Sequence, residues 1–191
     1  MRKNFLMIGL CSVTLLSAGC AMERNPEGQP LPAITFAHLQ KIPINVGMLQ
    51  TMSEAQGISE AFIVSPQQAM HEYIQSRFVA MGVTGKLQAI IERADVKHSY
   101  EAATSKVGSY LEVGGLDVYD MSIKIRLEHV GADNQVKQSA VLNAERLVKV
   151  SEHASIADRE RRQFQAAEAM FHDIDEQVRK IVLDDMRLGV H

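Results

Sequence analysis

The side chain whose setting most clearly points to chemistry is the thiol of Cys20. It follows Leu16-Ser17-Ala18-Gly19, small residues behind an almost wholly apolar run from Phe5 to Leu16. Arg2 and Lys3 give that run a positive start. A cationic head, a short apolar body and a small-residue exit are the parts of a secretory leader, whose exit a peptidase holds extended. The apolar run is too short to span a bilayer as a helix, which needs about 20 residues.

The order Leu16 to Cys20 resembles the bacterial lipobox. It departs at Ser17, where leucine is usual in the third position before the cysteine; Leu16 lies one place further back. The resemblance implies a thioether between Cys20 and a diacylglycerol, cleavage between Gly19 and Cys20, and acylation of the new amine. The alternative is an ordinary secretory leader in which Cys20 is incidental. Each buried methylene of an acyl chain adds about 0.8 kcal/mol, so several long chains hold a protein on a membrane. Ala21, not Asp, follows Cys20. By resemblance to lipoprotein sorting in Gram-negative cells, that implies the outer membrane, with the folded part facing the periplasm.

Other reactive side chains are less telling. His172 and Glu176 stand four apart on one helical face, with Asp173 and Asp175 alongside. A metal centre needs three or four convergent ligands, so the expectation is a solvated face and no metal. Arg159, Arg161 and Arg162 crowd the start of the last helix, where the dipole is already positive, and Asp184 and Asp185 stand near its end. Each such mismatch costs about 0.3–1 kcal/mol when exposed. The three arginines are therefore candidate contacts for an acidic partner or lipid head groups; the plainer reading pairs them with Asp158 and Glu160. The chain shows no nucleophile elbow, phosphate loop or zinc-ligand spacing, so a non-enzymatic protein without a cofactor is expected.

Removing residues 1–19 takes Arg2 and Lys3 away, leaves 172 of the 191 residues and lowers the formal charge from −3 to −5. That length suits one domain with a real core. The acidity argues against nucleic acid as a partner. Cys11 leaves with the leader, so no thiol pair remains for a disulfide.

These side chains must be held by something. Residues 20–33 read as the lipid anchor and a flexible tether, interrupted by Pro26, Gly28, Pro30 and Pro32. A single domain is expected over 34–191. Ile42, Ile44, Val46 and Met48 alternate with polar, Pro or Gly positions and predict one strand, with Pro43 at an edge. Residues 50–61 read as loop. Ser65-Pro66-Gln67-Gln68 starts a helix, with Gln68 reaching back to the cap. Met70, Ile74, Phe78 and Met81 carry it over 66–81, and Gly82 stops it. Residues 86–98 predict a bulged strand and 99–116 a long connection. Tyr119, Met121, Ile123, Ile125 and Leu127 alternate with polar residues, turn at Gly131–Asn134, and return through Ala140, Leu142, Ala144, Val148 and Val150. That is an antiparallel hairpin. Ser155 with Asp158 opens a last helix whose stripe runs from Phe164 toward Met186, about 45 Å if unbroken.

The fold class expected is α+β, in the order β-α-β-β-β-α. It is a two-layer sandwich whose mainly antiparallel four-stranded sheet carries two helices on one face, the second one long. The sheet face bearing Lys124 and Arg126 should meet water or a partner.

Several segments together resemble a family of small alphaproteobacterial outer-membrane lipoproteins. They are Ser65–Met70, Arg77–Gly82, Gly85–Leu87, Arg159–Arg161 and Met170–Asp175. Tyr73 stands where that family usually has Trp, a residue that packs a helix face. The element order is also loosely similar to the YajG and LptE lipoproteins, an architectural likeness that carries no function. The resemblance implies a fold and a location and supplies no activity. The expected role is a binding or adaptor module in envelope assembly or transport, held to the membrane through Cys20 and meeting an envelope protein. The alternative is a carrier that holds a lipid or other apolar ligand between sheet and helices, its cleft lined by Met70, Met81, Met121 and Met170.

Overall fold

Strict alternation builds the centre of the molecule. In the computed structural model, which describes residues 34–57, 59, 62–102 and 114–190, the elements run as follows. β1 is Ile42–Ile44, β2 Met48–Ser53, α1 Pro66–Arg77, β3 Phe78–Ala80, β4 Lys86–Glu101, β5 Leu116–Val130, β6 Val136–Ser151 and α2 Ile156–Lys180. Cys20 and the tether lie outside the described residues, as does most of the connection after β4.

The main sheet has the order β2-β4-β5-β6. β4, β5 and β6 pair antiparallel, and β2 joins β4 in parallel. Both helices lie on the dry face, giving the two-layer α+β sandwich. Tyr119, Met121, Ile123, Ile125 and Leu127 of β5 are each at most 1% exposed and form the floor of the core. Large side chains so buried contribute about 1.5–3 kcal/mol apiece. Met170, Ile174, Val178 and Val182 of the last helical stretch close it from above. The bulge expected in β4 falls between Ile91 and Arg93, where one extra residue, Glu92, shifts the register against β5.

Several expectations are corrected. The single strand over 42–48 is two. β1 pairs with β3 in a separate two-stranded parallel sheet, and β2 then joins the main sheet. The switch occurs at Asn45–Gly47, where Asn45 N–H donates to Leu188 O at 2.7 Å and Gly47 N–H to Thr84 O at 3.0 Å. Residues 50–53 are therefore strand, not loop. α1 ends at Arg77, not at residue 81, because Phe78 turns extended (φ −111°, ψ 145°) to pair with Ile42. A helical stripe and a buried strand residue look alike at Phe78, and β1 decides between them. Gly82 thus stops no helix.

Ser65 caps α1 by accepting from Gln68 N–H at 3.4 Å, but the Gln68 side chain donates to Glu72 instead of returning to the cap. Ser155 caps α2 through Asp158 N–H at 3.1 Å. α2 is not unbroken. Its 25 α-helical residues rise about 37 Å, then pass into a π-helical turn at Ile181–Asp185. Arg187 follows with φ 54°, and the chain returns to bridge Gly189 with Ile44. The end of the chain is thereby tied to β1.

Candidate interaction surface

Three polar constellations arise from this frame. One is buried. Arg77, in the last turn of α1, makes a two-pronged contact with Asp175 of α2, Nε to Oδ1 at 2.6 Å and Nη2 to Oδ2 at 3.1 Å. The Tyr73 hydroxyl donates to the same Oδ1 at 2.8 Å. Burial, and then the Asp175 carboxylate, push the Tyr73 hydroxyl pKa far above its usual range. Tyr73 also packs edge-on to Phe36 and Phe78. This group welds α1 to α2. Asp175 is expected from its spacing on a solvated face beside His172, and the structure corrects this: it faces inward. Asp175 is 8% exposed. The available signal was Tyr73 and Arg77 four apart on α1, on the same side as the apolar stripe. His172 and Glu176 do sit in solvent, 3.7 Å apart, with Asp173 turned to Arg146 of β6. Among the described residues no three His, Cys, Asp or Glu side chains converge as metal ligands would.

The second constellation lies under the start of α2. Arg159 donates to the Asp117 carboxylate and, at 3.1 Å, to the Tyr119 hydroxyl. His98 Nε2 lies 2.8 Å from the other Asp117 oxygen, and its ring stacks on Tyr119 at 4.9 Å. Hydrogen bonds from Arg159 first and His98 second hold the Asp117 carboxyl below its ordinary range. Arg159 is thus spent on β5 and does not pair with Asp158 or Glu160. Arg161 does meet Asp158, at 2.8 Å on an exposed surface. Arg162 is exposed beside it. Arg161, Arg162, His153 and Gln165 line an open polar groove at this end of the helix. The arginine cluster therefore divides into one structural residue and two presented to solvent.

The third is the wet sheet face. Glu92 bridges Lys124 at 2.8 Å and Arg126 at 2.7 Å, and Arg126 also meets Glu128. These pairs hold the Glu92 carboxyl below its usual range. The bulge delivers Glu92 to that face, so charges that looked available for a partner are matched within the sheet.

The methionines of the carrier alternative do not form one lining. Met70, Met121 and Met170 are at most 1% exposed in the core, whereas Met81 is 64% exposed. An apolar cleft does exist between the 34–39 segment and α2, lined by Phe36, Leu39 and Phe171. Its volume is about 110 Å³, below the roughly 300 Å³ at which ligand pockets begin. Among the described residues no helix is long and apolar enough to cross a membrane.

No family model and no curated protein sequence matches the chain. Among solved structures it is similar to a neuraminyllactose-binding hemagglutinin homologue from Helicobacter pylori, at 9% identity over 76% of this chain and 91% of that one, TM-score 0.39. It is similar to a minor lipoprotein from Acinetobacter baumannii at 9% identity over 77% and 97%, TM-score 0.40. A third likeness is to rare lipoprotein B from Shewanella oneidensis, at 9% identity over 69% and 98%, TM-score 0.27. These are partial overlaps of shape, and no role is carried across from them.

Proposed function

We propose that this chain is a lipid-anchored envelope adaptor. Residues 1–19 are removed, Cys20 carries the lipid, and the α+β body works at the periplasmic face of the outer membrane without catalysing a reaction. The single observation that carries the reading is the Leu16–Cys20 exit behind a short apolar leader. The body supports it in a second way. Its buried ion pair serves packing, as Arg77–Asp175 does between the helices, and Arg161 and Arg162 stand exposed at one end.

The contact we assign to an envelope protein is the groove at the start of α2, through Arg161 and Arg162. Arg159 shapes that end by gripping Asp117. An acidic segment of the partner suits two guanidinium groups, which bind carboxylates in pairs.

Crosslinking in the native envelope, followed by mass spectrometry of gently extracted protein, tests the adaptor. The expected result is a stoichiometric protein partner that Arg161→Gln/Arg162→Gln loses while the fold persists. Co-purified lipid with no protein partner would favour the carrier and contradict the adaptor.

A further inference from the structure

At one end of the sheet the chain exposes apolar side chains on a rigid support. Met48 is 55% exposed, Met81 64% and Val83 95%. Met48 opens β2, and Met81 and Val83 lie on the loop 81–85, which is stitched to the turn 45–47 by backbone hydrogen bonds. Met81 N–H donates to Ile44 O and Gly82 N–H to Val46 O, both at 2.9 Å. Gly47 N–H donates to Thr84 O and Gly85 O, both at 3.0 Å.

Two glycines permit the approach. A Cβ on Gly82 would stand 2.6 Å from Val46 N, and one on Gly47 would stand 2.9 Å from Val83 O. The exposure is therefore a fixed feature of the fold and not a fraying loop. Exposed apolar groups gathered at one place, unlike those scattered singly, point to a contact site.

We propose that this tip is a membrane-contact surface, which seats Met81 and Val83 in the head-group layer of the bilayer that holds the lipid on Cys20. The inference rests on the anchored reading above and adds an orientation to it. Charge selects lipid as the occupant. Residues 41–50 and 78–88 contain no carboxylate, and their charged side chains are Lys41 and Lys86, both cationic, in a chain whose net charge is negative. Lys86 stands opposite Met48 in the β2–β4 pair, and apolar groups beside a lysine suit an interface of acyl chains and phosphates. The acidic Asp133 at the neighbouring hairpin turn is matched by Lys137 at 2.6 Å, and Asp185 is placed over the start of β6, at the other edge of the sheet.

The leash permits this pose. The link from Cys20 to Ile34 reaches about 50 Å when extended, at roughly 3.3–3.6 Å per residue. A 16-residue strand such as β4 is about 50 Å long at ~3.3 Å per residue. The tip can thus rest on the bilayer while Ile34 stays packed beside α2. Arg161 and Arg162, at the far end, then point away from the membrane toward a partner.

The test uses the full-length lipoprotein in vesicles of phosphatidylethanolamine with a minority of phosphatidylglycerol and a nitroxide-bearing lipid. Single cysteines at Val83→Cys, Met81→Cys and, as the distant control, Ile156→Cys carry an environment-sensitive dye; wild type reports any labelling of Cys20. The expected result is co-flotation, with quenching at positions 81 and 83 several-fold above position 156. Adding Val83→Asp should abolish the quenching at position 81 while thermal melting and flotation stay unchanged. Flotation with equal, weak quenching at all three positions overturns the tip and leaves the anchor standing. A chain that stays in solution with a reactive Cys20 sinks the anchored reading and the tip with it.

Discussion

Asp175 is the side chain on which the two helices agree. It accepts both prongs of Arg77 and the Tyr73 hydroxyl in a space nearly closed to water. Breaking one partner of such a pair strands the other charge and costs about 3–5 kcal/mol, whereas replacing both by apolar residues is often neutral. Asp175→Ala should therefore lower unfolding free energy by about that amount in a denaturant titration. Arg77→Met combined with Asp175→Leu should recover most of it. Equal losses in the single and double variants would show that the pair is not the coupling. Asp117 offers a prediction in pH. Its folded carboxyl is held below the unfolded value of about 3.9. Its contribution is complete above that unfolded value and fades as pH falls through the folded one. Asp117→Asn should thus melt lower than wild type near neutrality, with the gap closing in acid. A gap that does not change with pH would contradict the ion pair.

Elements with one dry face were legible from residue types alone. The alternation from Tyr119 to Leu127 gives β5, and the returning alternation gives β6 in antiparallel register. The Ser155 cap and the apolar stripe give α2, and the phase slip near Glu92 gives the bulge. The misread elements are those whose structure is decided by distant partners. β1 and β3 are three residues each and exist only as a pair. Phe78 fits a helical stripe until Ile42 claims it. Periodicity also could not tell that Arg159 reaches β5, or that Asp175 faces inward while Asp173 and Glu176 do not. The glycines carry a prediction at this scale. Gly82→Ala pushes a methyl against the backbone of Asn45 and Val46, so overpacking should cost about 1–3 kcal/mol and separate the loops. Thermal melting checks it. Unchanged melting would mean that the two loops are not welded.

The whole molecule has two ends with different surfaces. One shows Met48, Met81 and Val83 beside Lys86 where stitched loops meet the sheet; the other shows Arg161 and Arg162 above a packed Arg159–Asp117–Tyr119 group. In the reading proposed here, the sheet spans the distance between a membrane and a partner, and the leash lets it do so. On the sheet face between the ends, Glu92, Lys124, Arg126 and Glu128 pair with one another. Replacing Lys124 with Gln should therefore leave partner capture unchanged, whereas the Arg161/Arg162 double glutamine variant loses it. Capture lost in the first and kept in the second would move the contact to the sheet.

Every part of this arrangement depends on what is attached at Cys20. Intact-mass analysis of the mature protein, extracted from its own cells in detergent, reads that directly. The expected result is a chain beginning at Cys20 whose mass exceeds the polypeptide by a diacylglyceryl group and an acyl group, and a Cys20→Ala variant without that added mass. A mature chain that starts elsewhere, or a Cys20 with a free thiol, would contradict it.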